Sequence, residues 1–138
     1  MKTREELVAI ALAHARSESG NDIELTLSTL EPDPVYELQP VGRVLRGMPA
    51  ARRYYEHFFA SFRPLVRGFE LRGEWVSDAG VGQEYVIRLR TPERGDEQHH
   101  VIGILTFGRE ALSGERVYAS ERLLRLMFGP AYERTEPL

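Results

Sequence analysis

With 138 residues, 42% apolar and 28% charged, the chain has the length and composition of one soluble globular domain and is too short for two. A net charge of -3 and a pI near 5.8 leave no broad basic surface, which excludes nucleic acid as a partner. The absence of cysteine excludes disulfides, a thiol nucleophile and thiolate metal sites. No window approaches the roughly 20 apolar residues of a membrane span, and the first residues lack the basic-then-apolar order of a signal peptide. The expected location is therefore cytoplasmic, with no membrane partner.

Thr3 to about Ser19 predicts a first helix, capped by the Thr3/Glu6 pair and ended by Gly20. Leu7, Ile10, Ala11, His14 and Glu18 recur on one stripe at helical spacing. Asn21 is the expected cap of a short second helix from Asp22 to Leu30, which Pro32 and Pro34 must break. Val35 to Gln39 reads as a strand, Pro40-Val41-Gly42 as a turn, and Arg43 to Leu45 as a further extended run. Pro49 to Phe62 predicts a third helix carrying Tyr54, Tyr55, Phe58, Phe59 and Phe62.

From Phe69 the pattern becomes that of strands: Phe69 to Ser77, Val81 to Arg90, His100 to Phe107 and Gly114 to Ser120. A run of apolar residues, Leu123 to Phe128, then closes on Gly129-Pro130 as a helix able to plug an open end. Residues 132–138 read as a polar, fraying tail after a single domain over 1–131. Helices followed by a strand meander define an α+β class.

The stretch Gly114 to Gly129 contains Glu115, Arg116 and Tyr118 at the spacing Glu-Arg-x-Tyr-x-Asp, followed by Leu-Leu and a terminal Gly. In this it resembles the SnoaL-like polyketide cyclases of the nuclear transport factor two-like superfamily. Asn21-Asp22, Pro34-Val35-Tyr36, Pro40 with Gly42, Gly47 before Arg53-Tyr54-Tyr55, and Glu84-Tyr85 extend the resemblance over nearly the whole chain. It implies a cone: a strongly curved antiparallel sheet wrapped around the N-terminal helices, with a pocket between them. It also implies a cofactor-independent cyclase or isomerase acting on a hydrophobic ketone or polyketide-type ligand, or a non-catalytic ligand-binding or dimerisation module on the same fold. The position of the family's catalytic Asp holds Ser120, which implies loss of the family's aldol cyclase activity.

The resemblance directs Arg116, Tyr118 and Ser120 into the pocket and places Tyr36 and Gln39 at its mouth, where they would hydrogen-bond a ligand. His14 is the alternative acid/base, an imidazole being able to titrate near neutrality, or else a hydrogen-bonded core histidine. Glu84 is a buried carboxylate facing Arg116, a member of a structural ion pair, or a residue of the outer face. Glu97, His99 and His100 make no metal site on this reading, since adjacent strand residues point to opposite faces. The Arg43, Arg46, Arg52 and Arg53 group reads as a solvated face. Apolar residues at both parities of the long strands, such as Val86 with Ile87 and Ile102 with Leu105, predict a homodimer that covers the outside of the sheet.

Overall fold

In the computed structural model, which describes residues 1–138, the helices of the first half of the chain form the filling of a cone. Helix α1 (Arg4–Gly20) begins at the predicted capping box, with the Thr3 hydroxyl accepting from the Glu6 amide and the Glu6 carboxylate accepting from the Thr3 amide. Gly20 is its last helical residue, and Asn21 at φ 63° makes the left-handed stop. Asp22 rather than Asn21 caps α2 (Ile23–Ser28). Helix α3 (Met48–His57) runs on through a π-helical turn, Phe58–Phe62, and a short 3-10 turn, Arg63–Leu65. The wider π turn rotates the chain and brings both Phe58 and Phe62 inward.

The strands are β1 (Leu30–Gln39), β2 (Arg43–Arg46), β3 (Val66–Val76), β4 (Gly80–Thr91), β5 (Gly95–Phe107), β6 (Leu112–Tyr118) and β7 (Glu136–Pro137). They form one sheet in the order β3-β4-β5-β6-β1-β2-β7. All neighbours are antiparallel except β1 and β6, which run parallel. The registers pair Tyr36 with Glu115, Leu105 with Glu115, and Gln83 with Gly103. These residues therefore share the face that packs on the helices. Register shifts in β3 near Gly68 and Gly73, and between Thr106 and Phe107, bend the sheet, as bulges do.

Helix α4 (Glu121–Phe128) closes the apolar end, with Leu123, Leu124 and Phe128 fully buried. The Phe128 ring stacks on Tyr54 of α3 at a centroid distance of 3.9 Å. The expected fraying tail is corrected. Helix α5 (Pro130–Glu133) and β7 follow, Tyr132 and Thr135 are buried, and β7 pairs with β2. Tyr132 joins the main hydrophobic core, so the apolar ring in a polar context holds the last residues down. No helix is long and apolar enough to cross a membrane.

Candidate functional site

Between the concave sheet face and the helices lies a cavity of about 380 Å³. Its walls are mainly apolar: Phe58 and Phe62 from the π turn, Tyr54 from α3, Ile87 from β4, Leu105 from β5 and Met127 from α4. Phe69 and Leu71 of β3 also line it and are exposed, marking where it meets solvent. An apolar enclosure with a few polar groups is the usual form of a small-molecule site. Polar groups also line it, among them Arg16, Arg63 and Gln83, and on one wall Glu18 from α1 meets Glu115 from β6.

Sheet alternation explains the position of Glu115. Val117 and Ala119 share its parity and are apolar; burying them carries Glu115 inward too. Gly103, its neighbour across β5, leaves the necessary room, since a Cβ there would lie 2.9 Å from Glu115 Oε2. The Glu115 carboxylate makes no hydrogen bond or ion pair of its own. Burial, and then the charge of Glu18, raise its carboxyl well above the ordinary value of 4.5.

Glu18 is tied into a buried network. Tyr55 Oη lies 3.1 Å from Glu18 Oε2, 3.0 Å from His14 Nε2 and 2.6 Å from Tyr36 Oη. His14 Nε2 is also 3.4 Å from Glu18 Oε2. The Thr29 hydroxyl donates to the Thr26 carbonyl, so at 2.7 Å from His14 Nδ1 it accepts, and Nδ1 carries a hydrogen. The Nε2 atom thus faces the carboxylate wall. Tyr55 has one proton and two acceptors, Nε2 and Glu18, so the proton count of this cluster sets which bond forms. Oxygen and nitrogen atoms of His14, Glu18 and Glu115 all lie within 4.8 Å of one another.

The sequence expectations fare unevenly against this geometry. His14 is fully buried beside the site, though behind Glu18 rather than on the cavity wall. Tyr36 is fully buried beneath the wall, bonded to Tyr55, and not at a mouth. Arg116 and Tyr118 lie on the convex face, a correction that follows from the inward parity of Val117 and Ala119. Gln39 pairs with Tyr118 and shares that outer face. Glu84 is exposed there as well, which resolves its readings in favour of the outer face.

Ser120 is not part of the cavity lining. Its hydroxyl accepts from the Leu123 amide at 3.1 Å as the cap of α4, and lies 3.4 Å from His99 Nδ1. His99 Nε2 contacts Glu97 at 2.9 Å, and Arg122 grips the same carboxylate at 2.7 Å. Arg122, with Thr91 and His99, holds Glu97 far below the usual carboxylate range. This network docks α4 onto β5. Arg52 of the arginine group pairs with Glu24, and Arg43 bonds to Thr135.

The site residues missed were Glu18, Glu115 and Tyr55, with Tyr85 and Gly103, which also line the cavity. For Glu115 the signal was present, since it alternates in phase with Val117 and Ala119. For Glu18 it lay in the helical stripe shared with His14.

No protein-family model and no curated protein matches the sequence. Solved structures do match. A de novo designed protein with a curved β-sheet superposes with TM-score 0.70 at 14% identity, over 96% of this chain and 99% of that one. SalBIII, an epoxide hydrolase/cyclase-like enzyme with a role in pyran ring formation in the polyether salinomycin, gives 0.69 at 16% identity over 88% and 96%. An NTF2-like protein of unknown function from Burkholderia xenovorans gives 0.62 at 21% identity over 86% and 87%. The fold is that of the nuclear transport factor two-like proteins, as the resemblance implied.

Proposed function

We propose that this chain binds a small, largely apolar molecule in its cone and carries out cofactor-independent proton transfer on it, in the manner of the SnoaL-like cyclases and isomerases. The observation that carries the reading is the meeting of Glu18 and Glu115 on one wall of a mainly apolar cavity. Two carboxyls whose environments differ make an acid and a base. Glu115, whose carboxyl burial biases toward the protonated form, donates to a ligand carbonyl; Glu18, held by Tyr55, accepts a proton from the adjacent carbon. His14 acts through Glu18, as a positioning residue. On this reading the chemistry does not need an acid at Ser120, because two glutamates supply it from another part of the cone. The ligand class is a hydrophobic ketone or polyketide-type molecule, and the likeness to a cyclase-like enzyme supports it at the level of the fold.

The test is titration and turnover with a panel of hydrophobic ketones and aromatic polyketide esters, for wild type, Glu18→Gln and Glu115→Gln. Retained binding with turnover lowered at least about 100-fold in each variant supports the reading. Full turnover in both would sink it.

A second surface supports a homodimer. Trp75, Ile102 and Tyr118 are exposed on the convex face, and the Trp75 ring lies over Gly82, where a Cβ would clash at 2.2 Å. We propose that a second copy of the chain covers this face.

A further inference from the structure

The polar wall has a charge problem that a neutral ligand leaves unsolved. Glu115 and Glu18 approach each other in a cavity where neither carboxylate forms an ion pair with a lysine or arginine. The groups facing Glu115 are Glu18 and His14 from α1, Tyr36 from β1, Tyr54 and Tyr55 from α3, and Tyr85 from β4. Four of these six are phenols, which burial keeps neutral. His14 is engaged by Thr29 and Tyr55 and lies behind Glu18. Of the two arginines on the lining, Arg63 donates to the Glu18 carbonyl instead of a carboxylate, and Arg16 forms no ion pair. Two carboxylates at this range in a poorly solvated space hold one positive charge between them. In the empty cavity that charge is a proton.

A proton is the smallest cation the site can hold, and the cavity has room for a larger one. Beside the carboxylates its wall carries the rings of Tyr54 and Tyr85, with Phe58, Phe62 and Phe69 beyond them. Aromatic faces attract organic cations as well as apolar bodies, and they do so more strongly where water is excluded. Gly103 keeps the Glu115 carboxylate directed along this wall, where a Cβ would press on it.

We propose that the cavity binds apolar amines, with the ammonium seated between Glu18 and Glu115 and the hydrocarbon body against the aromatic wall, in exchange for the proton the pair otherwise shares. The inference rests on the cavity being the ligand site, and it adds a ligand class that the ketone reading does not contain. The exchange balances: one protonated amine enters and about one proton leaves to solvent.

The probe is a matched pair of equal shape, 2-(1-naphthyl)ethylamine and 2-(1-naphthyl)ethanol, titrated calorimetrically into the full chain at pH 7.5. The amine is expected to bind at least about tenfold tighter than the alcohol, a difference of about 1.4 kcal/mol. Its affinity should rise between pH 5.5 and 8.5 as protons cease to compete, while the alcohol's stays flat. Heats measured in phosphate and in Tris should differ by the ionisation heat of about one released proton. In Glu115→Gln the preference for the amine over the alcohol should vanish. Alcohol binding without an amine preference, or a preference that survives in Glu115→Gln, overturns this inference and leaves the ketone reading standing. Failure of both probes to bind wild type overturns this inference together with the cavity's role as a site.

Discussion

Glu18 of α1 and Glu115 of β6 face each other across one wall of the cavity, with carboxylate oxygens within 4.8 Å, and only Glu18 has hydrogen-bond partners. The asymmetry makes Glu115 the member that keeps a proton. Its folded pKa is raised above the ordinary 4.5, so between that value and its folded pKa the native state binds more protons than the unfolded chain. Stability contributed at low pH is therefore lost as pH rises through this window. Glu115→Gln, neutral at every pH, should remove that slope. Thermal melts from pH 4 to 9 should show wild type falling relative to the variant above about pH 5, and parallel curves would refute the assignment.

Tyr55→Phe tests the network behind the wall. The hydroxyl is shared by Tyr36, His14 and Glu18, and its loss strands the buried Tyr36 hydroxyl. An unsatisfied buried polar group costs about 1 to 3 kcal/mol, so the variant should unfold at lower denaturant with an unchanged m-value. Tyr36→Phe in the same background should recover part of the loss, because it removes the group left without a partner. Additive losses in the double variant would rule out the shared bond.

The fold was legible in the sequence because its signals are local and agree with one another. The Thr3/Glu6 cap, the proline turn at Pro40, the strand alternation and the Gly129 stop each correspond to a feature of the structure. Tyr132 shows the limit of such signals: composition marks residues 132–138 as a tail, yet one buried ring and two residues of pairing with β2 anchor them. The site was less legible because a motif match fixes which residues correspond, while the parity of a strand fixes where they point. Arg116 and Tyr118 matched the family pattern and face outward, whereas Glu115 follows Val117 and Ala119 inward. His14 was legible as a polar residue on an apolar stripe. The pairing of Glu18 with Glu115, 97 positions apart in sequence, arises only when β6 closes over α1.

Gly103→Ala tests whether the position of Glu115 matters independently of its charge. The new Cβ would come 2.9 Å from Glu115 Oε2, and the flexible carboxylate is the part able to move. Any turnover should fall by about tenfold or more with ligand binding retained, since small displacements in a positioned site are costly. The melting temperature should change little. Unaltered turnover would separate Gly103 from the site.

Ser120 separates a capping role from a chemical one. Ser120→Ala removes the acceptor for the Leu123 amide and should cost about 1 kcal/mol. Ser120→Asp keeps a cap and should restore most of that stability. Because the residue lies outside the cavity lining, neither change should alter turnover once the protein is folded. A rate gain in Ser120→Asp would instead place position 120 within reach of the ligand.

The convex face supplies the last prediction. Trp75, Ile102 and Tyr118 are each more than a third exposed, and Ile102 and Tyr118 are direct cross-strand partners on β5 and β6. Single exposed apolar side chains are ordinary, but a set of them on one sheet face marks an interaction surface. Glu84 pairs with Ile102 from the other side, and Arg116 sits two residues before Tyr118, so the apolar strip has charged groups of both signs around it. A two-fold axis can set such opposite charges against each other while the apolar strips meet. Light scattering at micromolar concentration should give twice the 15.8 kDa chain mass. Ile102→Arg should halve that mass while leaving ligand affinity in the cone intact, because residue 102 points away from the cavity. A wild-type mass of one chain would remove the dimer, and a dimer undisturbed by Ile102→Arg would move the interface to another face.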